Sequence, residues 1–427
     1  MKFESFAGRA CHRRALLLAG AAALALALAG CSSGYSSGCG YGCGPVGPVN
    51  VPNSVAIADV NGDGVPDLLV ATTADQGALN NPGFANVILG NKASPGTFAS
   101  GVQYPITGSN PSGIVAADLM NSGHLDLAVS NFGSGNVSLF FHGATAGTFQ
   151  SAVTISTGGQ PNQIVAGDLT GSGMNLDLAL ADNSPSGNAI VLVHNPANPG
   201  QFLAPLMLAT NNYTPSVAIG SLGNGNVAVV AATYDANGNN GSVYVFVESS
   251  TNPVAFSAPA IFPAGAQPQS VRIADVNGDN LPDLVVANFR PGTDGIGVAG
   301  VSVLLQDATH PGSFLAPVTY ATPDGAVDVA VGDLNGDGRP DLVVATLDPD
   351  FTGAVAVLLQ NAAPAAAGTF TTATVYPGFG QPLSVAIADL NGDSKPDIAV
   401  ADGTSATVML QSAATPGTFT NPVQVGQ

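Results

Sequence analysis

A nine-residue stretch, DLNGDGRPD at residues 333–341, decides how this chain folds. Closely similar stretches stand at 59–67, 275–283 and 389–397. Three weaker copies lie at 118–126, 168–177 and 220–227. The first two of these keep both end aspartates, and the third has lost every carboxylate. Successive copies begin about 55 residues apart, so the chain consists of repeats of one structural unit.

A second marker gives the same number of units. A phenylalanine placed just after a turn, in most units as Pro-Gly-Thr-Phe or a near variant, follows each copy. Its seven occurrences are Phe98, Phe149, Phe202, Phe256, Phe314, Phe370 and Phe419. Each unit contains four short apolar runs that are rich in β-branched residues and bounded by turns, a pattern typical of buried strands. We therefore predict an all-β fold, a seven-bladed β-propeller of four-stranded blades over residues 51–427. An open solenoid is the alternative, although no polar end caps are evident.

The composition restricts the partners of this protein. Of 427 residues only 9% are charged, and the net charge is -19. Nearly all the acids are aspartates, since Glu4 and Glu248 are the only glutamates, which places the negative charge in turns rather than helices. Beyond the first 14 residues just five cations remain. This excludes binding to nucleic acid and attachment to a membrane through a basic patch, and it favours metal cations as partners.

The N-terminus is predicted to be an export signal. Residues 1–30 combine a basic start with an uninterrupted apolar run too short to span a bilayer. The run ends in Leu-Ala-Gly-Cys, which resembles the lipobox of bacterial lipoproteins and implies lipidation of Cys31. Ser32 after the cysteine implies the outer membrane or cell surface. A plain secretory signal is the alternative. Residues 31–50 are expected to be a flexible tether, in which Cys39 and Cys43 could form a disulfide.

The repeat as a whole resembles the FG-GAP and VCBS repeats of integrin α-subunit propellers and of many bacterial surface proteins. The resemblance covers about residues 51–427 and is specific at the aspartate stretch of four units. The name-giving Phe-Gly occurs once before a full copy, at Phe379 and Gly380, and Ala-Asn, Ala-Asp or Ala-Thr replaces Gly-Ala-Pro. These departures weaken the expectation of integrin-like function more than the expectation of fold.

The full copies have the oxygen donors of a calcium loop. Calcium takes six to eight oxygen ligands, several of them carboxylates. Side chains at positions 1, 3, 5 and 9 are predicted donors: Asp59, Asn61, Asp63 and Asp67; Asp275, Asn277, Asp279 and Asp283; Asp333, Asn335, Asp337 and Asp341; Asp389, Asn391, Asp393 and Asp397. At position 7 the backbone carbonyl is the predicted donor, from Val65, Leu281, Arg339 and Lys395. The alternative is a plain turn, which we accept for 220–227 and leave open for 118–126 and 168–177.

Nothing in the sequence indicates an enzyme active site. The histidines of the predicted propeller are expected in separate units, at turns or strand ends, as surface or loop residues rather than catalysts: His124, His142, His194 and His310. Aspartates outside the copies could pair as in a glycosidase, which the sequence does not decide. A polysaccharide-active enzyme, either lyase or hydrolase, or its accessory subunit therefore remains the alternative function.

The favoured function is recognition. Connections between the second and third strands vary in length and should lie on the face opposite the aspartate loops; they span 73–86, 131–135, 234–241, 288–300 and 347–353. They carry Phe84, Phe132, Tyr234, Phe289, Arg290 and Phe351, which suit contacts with a sugar or peptide, the alternative being that they are ordinary loop anchors. A rigid scaffold with variable loops suits ligand binding. We expect a monomeric, calcium-binding, surface-tethered binding or adhesion scaffold for an extracellular glycan or protein.

Overall fold

A computed structural model describes residues 49–426 apart from 76–80, 172–175, 224, 226, 239, 250–251, 291–298, 349–351 and 363–366. The predicted signal peptide, Cys31 and nearly all of the tether lie outside the described residues. The first strand begins at Val49, two residues before the predicted start of the repeat domain. The described residues contain strands and turns and no helix, so none of them forms a helix that could span a membrane. The predicted all-β class is confirmed.

Antiparallel strands follow one another as neighbours in five four-stranded sheets. The first contains β1 (Val49–Ala58), β2 (Asp67–Asp75), β3 (Gly83–Ile88) and β4 (Val102–Pro105). The second contains β5 (Pro111–Ala117), β6 (Asp126–Asn131), β7 (Asn136–Phe140) and β8 (Val153–Ser156). The third contains β9 (Pro161–Gly167), β10 (Asp177–Asp182), β11 (Asn188–Leu192) and β12 (Leu206–Ala209).

The centre of the chain departs from this plan. Here β13 (Tyr213–Ser221), β14 (Val227–Tyr234), β15 (Gly241–Ser249), β16 (Asn252–Phe256), β17 (Ala260–Ala274), β18 (Asp283–Arg290), β19 (Gly300–Leu304) and β20 (Val318–Ala321) share one sheet. The long β17 joins two units, because its first part pairs with β15 and its second part with β18. The short β16 pairs with β15 outside this path.

The last two sheets return to the four-stranded plan. They contain β21 (Gly325–Gly332), β22 (Asp341–Leu347), β23 (Gly353–Leu358) and β24 (Thr374–Phe379), then β25 (Pro382–Ala388), β26 (Asp397–Asp402), β27 (Ser405–Met409) and β28 (Val423–Val425). In every unit the aspartate stretch connects the first strand to the second. The second and third strands are the most buried because sheet faces cover them on both sides, which explains their uninterrupted apolar runs.

Hydrophobic clusters lie between consecutive sheets, and one further cluster lies between the two halves of the central sheet. Leu127 of β6 packs with Leu69 of β2, and Leu342 of β22 packs with Val285 of β18. One cluster joins the two ends of the described chain, since Val55 and Leu68 share it with Leu390 and Val408. The first sheet therefore packs on the last.

The seven marker phenylalanines have a common structural role. Six of them form an isolated antiparallel bridge with the residue just after the third strand of their unit, and Phe256 forms the same pair with Glu248 inside β16 and β15. The residues paired with the other six are Gly90, His142, His194, Gln306, Gln360 and Gln411. We call this place, with Glu248, the bridge position. Each phenylalanine thus fixes the connection between the third and fourth strands.

First strands of neighbouring units are tied by hydrogen bonds. Each first strand carries a bulge, as between Pro382 and Ser384. The side chain just after the bulge accepts the backbone N–H of the next unit: Gln163 Oε1 from Val217 (3.0 Å), Ser216 Oγ from Val271 (3.0 Å), Asp328 Oδ2 from Val385 (3.0 Å) and Ser384 Oγ from Val55 (3.4 Å). The last of these bonds again links the last unit to the first. Edge N–H groups that would be free to pair with another chain are thereby satisfied.

Candidate functional site: the aspartate loops and the cavity between the first strands

The first aspartate loop is organised by its own carboxylates. Asp59 accepts the backbone N–H of Gly62 (2.7 Å), Asp63 (3.2 Å) and Gly64 (2.8 Å). Asn61 Oδ1 accepts the N–H of Asp63 at 2.8 Å, and Asp63 Oδ1 accepts that of Val65 at 2.8 Å. Gly62 and Gly64 have φ values of +73° and +85°, which only glycine adopts at little cost. The predicted tight turn with its oxygens directed inward is present.

The other three full copies have the same arrangement, as the position 1 contacts of Asp275, Asp333 and Asp389 show. Two of these loops also hold a cation of their own. Arg339 Nη1 donates to Asp337 Oδ2 at 3.0 Å, and Lys395 Nζ donates to Asp393 Oδ2 at 3.2 Å. Lys92 Nζ donates to the carbonyl oxygen of Asp63 in the first loop. Side-chain cations therefore offset part of the negative charge of these loops.

The aspartate at position 9 has a structural role that the sequence did not indicate. Asp67 is fully buried; its Oδ2 accepts the N–H of Val60 (2.9 Å) and its Oδ1 that of Gly90 (2.8 Å). The same two bonds, from position 2 of the loop and from the bridge position, are made by Asp126, Asp177, Asp283, Asp341 and Asp397. We call this arrangement the position 9 latch. It ties each loop to the end of the third strand, also in the two units with weaker copies.

Burial raises the pKa of the position 9 carboxyls in the full copies, Asp67, Asp283, Asp341 and Asp397, to about 6. The two backbone N–H groups act in the opposite direction, and the carboxylates at positions 1 and 5 of the same loop add to the rise. Three carboxylates of one loop therefore repel one another, which is the electrostatic condition that a bound cation relieves.

The donor set suits calcium. A carboxylate has about four lone-pair sites, and the bonds to N–H groups leave at least one of them on each of the three aspartates in a full copy. The donors are all oxygens, as calcium prefers. No three histidine, cysteine, aspartate or glutamate side chains in the described part of the chain lie closely enough together to hold a metal ion as they stand. Bound calcium would supply positive charge between positions 1, 5 and 9.

The weaker copies differ from the full ones. Asp118 still accepts the N–H of Ser122 and Gly123, at 2.9 and 2.7 Å. Residues 172–175 of the third loop lie outside the description. In the fourth unit Ala228 pairs with Gly220, as Asp67 pairs with Ala58, so Ser221 is position 1 and the copy begins one residue later than predicted. It has no latch carboxylate, in agreement with a plain turn.

Two of the four histidines lie at strand ends, as expected, but one of them is buried rather than at the surface. His194 is 5% exposed, and its Nδ1 lies 2.8 Å from Asp177 Oδ1. His142 is placed in the same way against Asp126, at 3.0 Å. Both occupy the bridge position, where their ring reinforces the latch made by their backbone N–H. His124 and His310 are exposed as expected, but His124 belongs to the same unit as His142, with ring centroids 4.8 Å apart, so the expectation of separate units is wrong.

The predicted recognition loops lie on the face opposite the aspartate loops, because consecutive antiparallel connections alternate between the two ends of a sheet. Phe84, Phe289 and Arg290 are half-buried. Tyr234 is 3% exposed and stacks on Tyr213 with ring centroids 5.3 Å apart, so it anchors the loop rather than presenting a contact surface. Phe351 lies outside the described residues. Phe132 contributes to a cavity.

This cavity, of about 580 Å³, lies between the first strands of the units. Residues of β1, β5, β9, β13, β17, β21 and β25 line it, together with Asn81, Asn110, Phe132 and Gln381 from connections on the recognition-loop face. No residue of the aspartate loops contributes to the lining. Its charged members are Arg272 and Asp328, whose Nη2 and Oδ1 are 2.7 Å apart. Nothing in the sequence pairs these two residues, although Arg272 is visible as a cation inside an apolar strand.

Solved structures with similar folds place the protein in a structural class. A periplasmic gluconolactonase of Pseudomonas aeruginosa is similar with a TM-score of 0.54 and 15% identity, over 88% of this chain and 96% of the other. An Agrocybe aegerita lectin, described as recognising non-reducing terminal N-acetylglucosamine, has a TM-score of 0.51 and 17% identity, over 82% of this chain and 92% of its own. BBS1N in complex with ARL6DN is similar with a TM-score of 0.51 and 14% identity, over 87% of this chain and 96% of the other. At such identities the likeness is one of fold, and the fold is that of a β-propeller.

The family is more specific than the fold. The FG-GAP-like repeat matches residues 59–129, 222–286, 292–344 and 338–400, which is more than half of the chain. The protein belongs to the FG-GAP-like repeat family, as the resemblance in the aspartate stretches implied. No curated protein matches the sequence significantly.

Proposed function

We propose that this protein is an exported, lipid-anchored, seven-bladed β-propeller that calcium stabilises and that serves as a binding or adhesion scaffold for an extracellular glycan or protein. The observation that carries this proposal is the repetition of one acidic, inward-facing oxygen loop on one end of the sheets. Variable connections and a cavity mouth occupy the opposite end. A rigid scaffold stabilised at one end and variable at the other is how repeat folds build binding surfaces.

Seven blades in a closed ring are supported by the central sheet and by the chain ends. The long β17 contributes the last strand of one unit and the first strand of the next, so the central sheet contains two blades. With the five four-stranded sheets this makes seven. The shared cluster of Val55 and Leu390 and the bond from Val55 to Ser384 support closure.

Calcium in the four full loops is supported by the donor chemistry and by the charge. The net charge of -19 has few side-chain cations against it, and in each full loop the carboxylates at positions 1 and 5 help to raise the pKa of the carboxyl at position 9. The calcium ligands would be the twenty donors named from the sequence. Those at positions 1, 3, 5 and 9 would bind through their side chains. Each ion would tie the first strand to the second and lower the repulsion among the carboxylates.

Attachment and recognition complete the proposal. Export and lipidation at Cys31 rest on the N-terminal sequence alone. Recognition by the loop face rests on its variable connections, with Phe132, Phe289 and Arg290 among the candidates for contact. A role as an enzyme is not favoured, and the gluconolactonase is similar in fold at 15% identity, which transfers no activity.

The test is metal counting combined with a thermal melt of residues 45–427. We expect about four calcium ions per chain and a melting temperature at least about 10 °C higher in calcium than in chelator. Asp275→Asn should lose one ion, whereas Asp118→Asn in a weaker copy is the matched control. Fewer than two ions per chain, or equal losses in both variants, would refute the calcium assignment.

A further inference from the structure

The cavity between the first strands contains one feature that the repeat does not need. The residue at the place of Arg272 is small or apolar in the other six first strands: Ala56, Val115, Val165, Ala218, Ala330 and Ala386. At the place of Asp328 the others have Ser54, Gly113, Gln163, Ser216, Ser270 and Ser384. Because six strands pack without an ion pair, the Arg272–Asp328 pair is not a requirement of the fold. Buried ion pairs also contribute little to stability compared with apolar packing.

The pair is held rigidly and leaves donors free on its positive partner. Asp328 accepts four hydrogen bonds: from Ser270 Oγ (2.7 Å), Arg272 Nη2 (2.7 Å), and the N–H of Val329 (2.9 Å) and Val385 (3.0 Å). Its capacity as an acceptor is therefore used up. Arg272 donates from Nη1 to the carbonyl of Val271 at 3.0 Å, and its side chain is 28% exposed. A guanidinium has five N–H donors, so Arg272 retains donors for a molecule in the cavity.

The rest of the lining is uncharged and consists of polar side chains separated by apolar ones. Amide side chains recur around it: Asn53, Asn81, Asn110, Asn162, Gln163, Gln269 and Gln381. Gln269 is 8% exposed, and its Oε1 has no hydrogen-bond partner, although its amide lies near the Tyr234 hydroxyl. Valine and isoleucine side chains separate these groups, and Phe132 contributes a ring at the recognition-loop end.

Charge decides which class of ligand suits this lining. The pair carries no net charge, and a molecule of net charge -19 repels anions at long range. A cation would find no uncompensated carboxylate, because that of Asp328 is saturated. The hydroxyl groups of a neutral sugar both donate and accept hydrogen bonds, as the amides of the lining do. The C–H faces of its ring can pack against the valine, isoleucine and phenylalanine side chains. The volume of about 580 Å³ lies within the usual range of small-ligand pockets.

We infer that this cavity binds a neutral saccharide of one or a few rings, entering from the recognition-loop face, with Arg272 as a hydrogen-bond donor that Asp328 holds in place. The inference rests on the proposed function as a binding scaffold and assigns the ligand class. It does not depend on calcium in the loops, since none of their residues lines the cavity.

The test is titration calorimetry of the calcium-loaded protein with neutral mono- and disaccharides, including glucose, galactose and N-acetylglucosamine, beside glucuronic and galacturonic acid. We expect one neutral sugar to bind with a stoichiometry of one, little affected by salt, and the uronic acids to bind more weakly. Arg272→Ala should weaken binding at least tenfold, and Arg272→Lys, which keeps the charge and the pairing with Asp328, should weaken it as well because it lacks the planar fork. Lys92→Ala, on the opposite face, is the control of equal charge.

Absence of binding by every neutral sugar at 10 mM would overturn the inference, as would tighter binding of the uronic acids or full affinity in Arg272→Lys. Calcium ions counted on the same samples separate this failure from failure of the proposed function. A protein that holds four ions but no sugar has lost only the cavity assignment.

Discussion

Glu248 shows how one side chain distinguishes the fourth unit. It occupies the bridge position, where three other units have Gln306, Gln360 and Gln411. Gln360 and Gln411 reach the loop of the preceding unit, donating to the carbonyls of Val276 and Leu334 at 2.6 Å. The carboxylate of Glu248, which has no N–H to donate, instead faces the negatively charged loop of the preceding unit.

Burial raises the pKa of Glu248 to about 7, and the nearby Asp177 and Asp168 add to the rise. A carboxyl whose folded pKa lies above the unfolded value of about 4.5 stabilises the fold while protonated. That stabilisation is complete at low pH and is lost as the pH rises from about 4.5 through 7.

Glu248→Gln should therefore stabilise the protein at pH 8 and leave it nearly unchanged at pH 4.5. The expected gain is about 1 kcal/mol, less than the full pKa shift implies because solvent reaches part of the side chain. Urea unfolding in chelator at the two pH values measures it. Gln360→Glu is the reciprocal control and should destabilise at pH 8. An equal effect of Glu248→Gln at both pH values would show that packing, not charge, is responsible.

At the scale of the element, the position 9 latch explains why the loop between the first two strands tolerates so much change elsewhere. Asp126 and Asp177 keep both latch bonds in units whose loops lack the asparagine at position 3 and the aspartate at position 5. The latch therefore works without the full set of oxygens. In the complete copies the same residue is also a predicted calcium ligand, so position 9 serves the fold whether or not metal binds.

Asp126→Ala should destabilise the protein by about 3 kcal/mol, because it leaves two N–H groups without an acceptor, the buried one of Leu119 and the partly buried one of His142. Asp118→Ala in the same loop should cost under 1 kcal/mol, since its N–H partners are exposed to water. Denaturant midpoints with and without calcium compare the two. If calcium restored the stability of Asp126→Ala, the loss would belong to a metal site and not to the latch.

At the scale of the whole molecule, the proposed closed ring predicts how strongly the chain depends on its ends. The first sheet covers Leu390 and Val408 of the last, and each sheet is covered by a neighbour on both sides. In an open array, by contrast, each end unit has one neighbour, and its removal lowers the stability of that neighbour alone.

Removal of residues 382–427 should abolish cooperative unfolding, because two apolar sheet faces lose their cover at once. The expected product is aggregation, or a melt broadened and lowered by more than about 15 °C. Circular dichroism and light scattering measure both. The control removes only residues 45–48, ahead of the first strand, and should melt as the full domain does. A sharp melt of the truncated chain within a few degrees of the full domain would contradict the closed ring.

Much of the fold follows from local pattern. The spacing of the aspartate stretches and marker phenylalanines determined the all-β class, the units and the order of strands, since apolar runs bounded by turns depend on near neighbours alone. The tight turn at Gly62 and Gly64 was likewise predictable, because it is formed within nine residues.

Contacts between distant segments were decided by the tertiary structure alone. The bond from Asp67 to Gly90 spans 23 residues, and the pairing of Arg272 with Asp328 spans 56. Neither leaves a signal in a local window, so the sequence predicted position 9 only as a metal ligand and His194 only as a surface or loop residue. The physical reason is that hydrophobic and turn preferences act along the chain. The partner of a buried polar group, by contrast, depends on which distant segments the packing of sheet against sheet brings together.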